Sequence, residues 1–347
     1  MKKINYLLFA IVVIFSACSK DNDNNQNQGI GKGFFVLNEG TFTYANASLS
    51  FFNEDSLKIT NNLFFRVNNV PLGDVANSMT HWNNKLYLVV NNSGYIYKVD
   101  EKTILYESQL AGMHSPREIL IISDTKAYVS DLYEMGFHVI NPSTMEYIRF
   151  VRTGKSTENM LLLGDEVFIT NWSQYEQQMP NNTVQIVDSK TDQVIDSVIV
   201  TKEPNSMVVD ANGKLWVLCS GGWEGEETPA LIQIDPQTRT IIKKLDFDAL
   251  SYPSRLSINK QGDRLYYINS DVFTLTVEDS HLPEEPLIEA GKHYFYNIAL
   301  HPQTATLVLA DGSGFAEKSY VFRYHDDGRL IDSVQAGIMP NKIVFNY

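Results

Sequence analysis

Cysteine is almost absent: Cys18 and Cys219 are the only two in 347 residues, which excludes a disulfide framework or a cysteine-rich metal fold. No run of basic residues occurs, and 28 Lys and Arg stand against 41 Asp and Glu for a net charge of −13. Nucleic acid is thereby an unsuitable partner, since its phosphates need a positive face. HExxH, CxxC and Gly-x-Ser-x-Gly are all missing. The seven histidines, His81, His114, His138, His281, His293, His301 and His325, show no metal-ligand spacing. Neither a metal nor a cofactor is therefore expected. The apolar run at residues 6–15 is too short to span a bilayer, and no later stretch carries a helical period.

That run follows Lys2 and Lys3 and ends at Ser16-Ala17 before Cys18, a layout similar to a bacterial lipoprotein signal, with Phe15 where such signals usually carry Leu. The plainer alternative is a secretory signal cleaved near Ala17. Residues 1–17 are read as the signal, 18–32 as a lipidated Cys18 and flexible tether, and 33–347 as the folded domain. The tether reading rests on the lack of any apolar side chain from Ser19 to Gly29. Lys20 and Asp21 behind Cys18 also resemble the surface-export signal of Bacteroidetes-type lipoproteins, which implies the outer leaflet of the outer membrane. Cleavage would remove Lys2 and Lys3 and leave 26 basic against 41 acidic residues, about −15. Cys219, without a partner, reads as a buried and inert thiol at the end of an inner strand.

What the chain does contain is one unit written seven times: an apolar strand, an Asn/Asp/Gly turn, a second apolar strand, a loop, and a hairpin closed by a turn such as Asp-x-x-Thr. The units align at Ala76, Pro116, Thr157, Pro204, Pro253, Phe295 and Pro340, with steps of 40, 41, 47, 49, 42 and 45 residues. This period, filled with short β-rich runs, predicts a β-propeller. Second strands such as Leu86-Tyr87-Leu88-Val89-Val90 and Leu215-Trp216-Val217-Leu218 are continuously apolar, as expected where a blade is covered on both faces. Gly33-Phe34-Phe35-Val36-Leu37 matches a second strand, and residues 340–347 match a first strand with nothing after it. Paired, they complete one blade and close the ring. The expectation is an all-β, seven-bladed propeller of four-stranded antiparallel blades, with the weakest pattern at residues 272–286.

Function must be argued from the loops, because the fold hosts many activities. The connection after the second strand and the one leading to the next blade share a face of the disk. Insertions fall on that face, at residues 41–47, 132–136, 172–182, 221–229 and 312–318, while the opposite turns are short. The insertions carry Phe42, Tyr44, Tyr133, Trp172, Tyr175, Trp223 and Phe315, joined by Tyr252, Tyr294 and Tyr296. So many rings on one loop face point to a ligand or partner that covers them. Tyr252 and Tyr294 read equally as wedges between blades. Arg117 and Arg255 stand at equivalent positions, open to two readings: an anion site or an inter-blade salt bridge. Glu39, Glu158, Asp131 and Asp311 sit near the mouth and could form an acid–base pair, although rim carboxylates more commonly bind backbone amides or arginines. A binding protein, not an enzyme, is the expectation.

The stretches Phe35-Val36-Leu37-Asn38-Glu39-Gly40, Leu72-Gly73-Asp74-Val75-Ala76-Asn77-Ser78-Met79, Val89-Val90-Asn91-Asn92-Ser93-Gly94, Ser115-Pro116-Arg117, Val167-Phe168-Ile169-Thr170-Asn171-Trp172 and Pro204-Asn205-Ser206 resemble the YncE-like propeller lipoproteins of Bacteroidetes, and within them the surface cobalamin-capture group called BtuG. The resemblance runs from about Phe34 to Tyr347. It implies a cell-surface protein that seizes vitamin B12 and related corrinoids and hands them to a TonB-dependent outer-membrane transporter, with membrane contact through the lipid on Cys18 alone. Trp172, Trp223, Tyr133, Arg117 and Arg255 are the expected contacts, flanked by Phe42, Tyr44, Tyr175 and Phe315, with Asn91, Asn171 and Asn205 as amide partners. A glycan would also accept aromatic platforms ringed by Asn, Asp and Glu, so glycan capture for a polysaccharide uptake system stays open beside it. A propeller-type hydrolase or lyase is the third alternative.

Overall fold

Asn83 and Asn84 adopt positive φ, 48° and 58°, and so close the two-residue hairpin that pairs Trp82 with Lys85. A tight hairpin of this hand needs two left-handed residues, and Asn pays less for that conformation than most side chains. The other recurrent turn uses a carboxylate. Asp100 Oδ1 accepts from the backbone N–H of Thr103 at 3.0 Å and from its hydroxyl at 2.9 Å. Asp188 and Asp235 accept from the backbone N–H groups of Thr191 and Thr238 in the same way. In each case the following residue, Ile104, Asp192 or Arg239, turns to positive φ.

The structure, a computed structural model, describes residues 30–172 and 181–347. Cys18 and Tyr175 lie outside the described residues. Seven antiparallel sheets form the blades of a propeller. Blade I closes the ring, with the C-terminal strand Pro340–Asn346 pairing antiparallel to Gly33–Asn38 so that Phe34 faces Phe345 and Val36 faces Ile343. Blades II to VII begin at Ala76–Trp82, Pro116–Ser123, Met160–Leu163, Pro204–Val209, Ser254–Ile258 and Phe295–Leu300, at or within three residues of the sequence register. These first strands line the centre, each next to that of the neighbouring blade.

Three details differ from the sequence reading. Blade VI has three strands, its fourth reduced to a bridge between Val272 and Ile288, at the segment where the pattern fades. The chain beyond its third strand, from Val277 onward, makes a long excursion on the face that otherwise carries short turns, since Val277 N donates to the carbonyl of Asp263 in the first hairpin of that blade. A short helix, Leu63–Asn68, also interrupts the link between blades I and II and buries Phe64.

Among the described residues, one apolar cluster fills each seam between blades. Trp216, Leu218 and Leu231 of blade V meet Leu265, Tyr267 and Leu275 of blade VI, and Tyr128, Phe137 and Val139 of blade III meet Val167, Ile169 and Val187 of blade IV. Nearer the axis, side chains link blade to blade. Asn341 donates to the Asn77 carbonyl, Asn77 to that of Arg117, Arg117 to Glu158, Asn205 to the Pro253 carbonyl, Arg255 to that of Tyr296, and Asn297 to Asn341. Asn159 Oδ1 accepts from Met207 N and completes the circuit. Each buried large side chain is worth about 1.5–3 kcal/mol, against about 1 kcal/mol net for a hydrogen bond. The seams therefore hold the ring, and the polar belt sets the register of one blade on the next.

Candidate binding face

Short local bonds set the loop rings outward. Thr41 N donates to Asn46 Oδ1 and Thr43 N to both oxygens of Asp74, which fixes a tight loop with Thr43 and Ala45 at positive φ. Phe42 and Tyr44 are left 65% and 71% exposed. Asp131 Oδ1 accepts from the N–H groups of Tyr133 and Glu134 and presents the Tyr133 ring. Gly221, at φ 85°, starts the loop that carries Trp223. Thr41 Oγ1 donates to the Phe315 carbonyl and joins the loops of blades I and VII.

Six rings of this face form two runs, each ending at an arginine, whereas Phe42, Tyr44 and Tyr133 join neither run. The first is Trp172, Trp223 and Tyr252, with centroids 5.4 and 6.3 Å apart, and Arg117 lies over Trp172 at 5.7 Å. The second is Tyr296, Tyr294 and Phe315, spaced 6.0 and 6.2 Å, and Arg255 lies over Tyr296 at 5.0 Å. Burial raises the Tyr252 phenol above its ordinary range, and the nearby Tyr294 adds a smaller push in the same direction. Both are about half exposed, so they are not buried wedges. Trp172 is half-buried, and its indole N–H has no hydrogen-bond partner among the described residues.

Charge at the mouth is balanced. Arg117 grips Glu158 of the next blade through Nε and Nη2 at 2.7 and 2.9 Å; burial works against the guanidinium charge, but Glu158 together with Glu39 and Tyr296 outweighs it and raises the Arg117 pKa. For Arg117 the inter-blade salt bridge is what forms. Arg255 differs: Nε donates to the Tyr296 carbonyl at 3.0 Å, and its terminal nitrogens have no hydrogen bond among the described residues. Glu39 accepts from the Tyr296 hydroxyl and from Asn341 Nδ2. Burial raises its carboxyl above the ordinary range, with Arg255 and Arg117 opposing.

The amides read as contacts from sequence serve the scaffold. Asn171 is fully buried, its Nδ2 bonded to the Ser156 carbonyl and Gln185 and its Oδ1 to the Thr183 hydroxyl. Asn91 holds Ser115 and the Pro116 carbonyl. Asn205 holds the Pro253 carbonyl and accepts from Ser206. A polar residue closing the second strand is a repeated device, seen again as Asn38 on Gly337 N, Asn269 on Tyr252 N and Asp311 on Tyr294 N. All four candidate carboxylates are likewise engaged: Glu39 and Glu158 as above, Asp131 by Ser115 N, and Asp311 by His293. Cys219 is buried, and burial pushes its thiol up.

Sequence reasoning overlooked the surroundings of His138. Pairing of the second and third strands of blade III sets His138 opposite Val129, on the same face as Asp131, and Glu134 turns toward both. The spacing Asp131-x-x-Glu134-x-x-x-His138 was the available signal.

A cavity of about 310 Å³ lies on the channel wall near Trp82, lined by Ser78, Thr80, Glu118, Asn159 and Lys342. It is away from the rings, which form an open platform. Among the described residues, no helix is long and apolar enough to cross a membrane.

Residues 32–345 match the family described as "Domain of unknown function (DUF5074)". No curated protein matches the chain. A quinonprotein alcohol dehydrogenase-like protein from Bacteroides thetaiotaomicron is similar in structure, with TM-score 0.73 and 18% identity over 92% of this chain and 80% of that one. The periplasmic gluconolactonase of Pseudomonas aeruginosa gives TM-score 0.66 and 12% identity, covering 90% and 99%. The dihydro-heme d1 dehydrogenase NirN gives 0.61 and 7%, covering 90% and 75%. At such identities the likeness is one of fold, and it is a fold that also carries enzymes.

Proposed function

We propose, from the premise that the chain belongs to the DUF5074 family, that it is a surface lipoprotein anchored at Cys18 that binds corrinoids and passes them to a TonB-dependent outer-membrane transporter. One observation carries the binding half of this reading: the two runs of rings, Trp172–Trp223–Tyr252 and Tyr296–Tyr294–Phe315, lie on one loop face and each ends at an arginine. A corrinoid is broad, partly flat, edged with amides and carries one phosphate, so it needs apolar faces of some width and a cation. Arg255 is better suited to the phosphate than Arg117, because Glu158 already takes the Arg117 fork. The resemblance of the stretches around Glu39, Asp74, Arg117 and Trp172 supports the choice of corrinoid over other broad ligands. With the candidate carboxylates all held by scaffold groups, the reading assigns binding and no reaction.

Titration calorimetry of the full chain with cyanocobalamin tests this. The expected result is saturable binding of one ligand per chain at micromolar protein; no heat and no shift of the corrin absorption would remove the reading. Retardation in polysaccharide affinity gels, together with silence toward cyanocobalamin, would make the ligand a glycan.

A further inference from the structure

We propose that Asp131, Glu134 and His138, on the rim of blade III, form a binding site for a divalent transition metal of the Zn2+ class. The three residues bring one donor atom each to within 4.8 Å of one another. His138 Nε2 lies 3.4 Å from Asp131 Oδ2 and 3.4 Å from Glu134 Oε2. Charge-assisted hydrogen bonds between such groups settle at about 2.7–2.9 Å, so both contacts are long for that purpose. Two ligands held about 2.0–2.1 Å from a tetrahedral ion stand about 3.3–3.4 Å apart, which is the separation found here.

The surroundings fit a ligand set. Asp131 is fully buried and His138 is 4% exposed. Asp131 is aimed by three backbone donors, Ser115 N on Oδ2 and the Tyr133 and Glu134 N–H groups on Oδ1, the kind of outer support that orients ligating carboxylates. The His138 ring is set by packing on Phe150 and Tyr147; its Nδ1 is buried with no hydrogen-bond partner among the described residues, so hydrogen-bonded outer support reaches Asp131 and not the imidazole. With the proton on Nδ1, the Nε2 lone pair faces two carboxylates, an arrangement that a cation between them stabilises. Two carboxylates cancel the charge of a divalent ion, and an imidazole beside them favours the Zn2+, Ni2+ and Co2+ group over Mg2+ or Ca2+. His114, from the link into the same blade, is exposed with Nδ1 3.4 Å from Glu134 Oε1 and lies outside this three-residue group. A bound ion would clip residues 131–138 together and stiffen the loop that presents Tyr133. This site is independent of the corrinoid reading.

The test uses full-length protein stripped with chelator and then titrated with Zn2+ against a chromophoric competitor, with thermal melting in parallel. One equivalent of Zn2+ should bind and raise the melting temperature. Glu134→Gln, on the half-exposed rim, should weaken binding by roughly 100-fold or more and abolish the thermal shift, given that even outer-shell changes cost about 10–100-fold. His138→Gln should do the same where it folds. Binding by the wild type no tighter than by Glu134→Gln, or one-equivalent binding that survives the Glu134→Gln change, overturns the site.

Discussion

The indole of Trp172 meets that of Trp223 across the seam between two blades, ring centroids 5.4 Å apart and planes inclined by 35°. Each ring thereby limits the other's rotamers and presents one continuous apolar step at the channel mouth. Trp172→Ala and Trp223→Ala should each weaken cyanocobalamin binding by about 1–4 kcal/mol, the range for buried aromatic anchors. The double variant should lose less than the sum, because the rings touch. Calorimetry gives the affinities and circular dichroism the fold; a collapse of folding instead would make these rings core residues and move the site elsewhere.

The two arginines should separate by assay. Arg117 and Glu158 are both mostly buried, so removing either strands the other's charge at a cost of about 3–5 kcal/mol. A double-mutant cycle in urea should show strong coupling. Arg255→Gln, which breaks no ion pair among the described residues but loses the bond to the Tyr296 carbonyl, should cost only about 1 kcal/mol in the same urea assay and appear mainly in corrinoid affinity.

Glu39 sets a pH dependence. Its folded pKa is raised by burial, so the native state holds a proton that the unfolded chain releases. Stability is therefore lost as pH rises from the ordinary carboxylate value through the raised one. Glu39→Gln does not titrate, so its melting temperature relative to wild type should climb between acid and neutral pH, with any fixed offset from altered hydrogen bonds dropping out of the slope. A flat difference would mean that the carboxyl is not raised.

Gly221 has φ 85°, and a Cβ there would lie 2.2 Å from the Glu227 carbonyl oxygen within the same loop. Gly221→Ala should displace the Trp223 loop, cost about 1–3 kcal/mol of local strain and reduce corrinoid affinity about tenfold. Fluorescence of Trp223 and calorimetry report the two effects.

Much of the architecture is legible in the linear chain. The starts at Ala76, Pro116, Pro204, Phe295 and Pro340 coincide with observed strands, because turn residues and unbroken apolar runs are local features. The binding face is legible only in part. Asn91, Asn171 and Asn205 look like ligand amides in sequence, yet they satisfy backbone groups, since a chain at a strand end must still bond its polar atoms. The weak pattern near Val272 marks a missing fourth strand, but the helix at Leu63–Asn68 has too few residues to show a period.

Sequence alone determined a ring of seven sheets closed by its own two ends, and a crowd of rings on the long connections. Both follow from side-chain pattern within about five residues, the scale on which turns and strands are chosen. Only the tertiary structure decided that Arg117 is committed to Glu158 while Arg255 keeps its terminal nitrogens unbonded among the described residues, and that His138 returns to Asp131. Those relations join positions on neighbouring strands or blades, where distance in space is set by sheet register and blade rotation rather than by spacing along the chain.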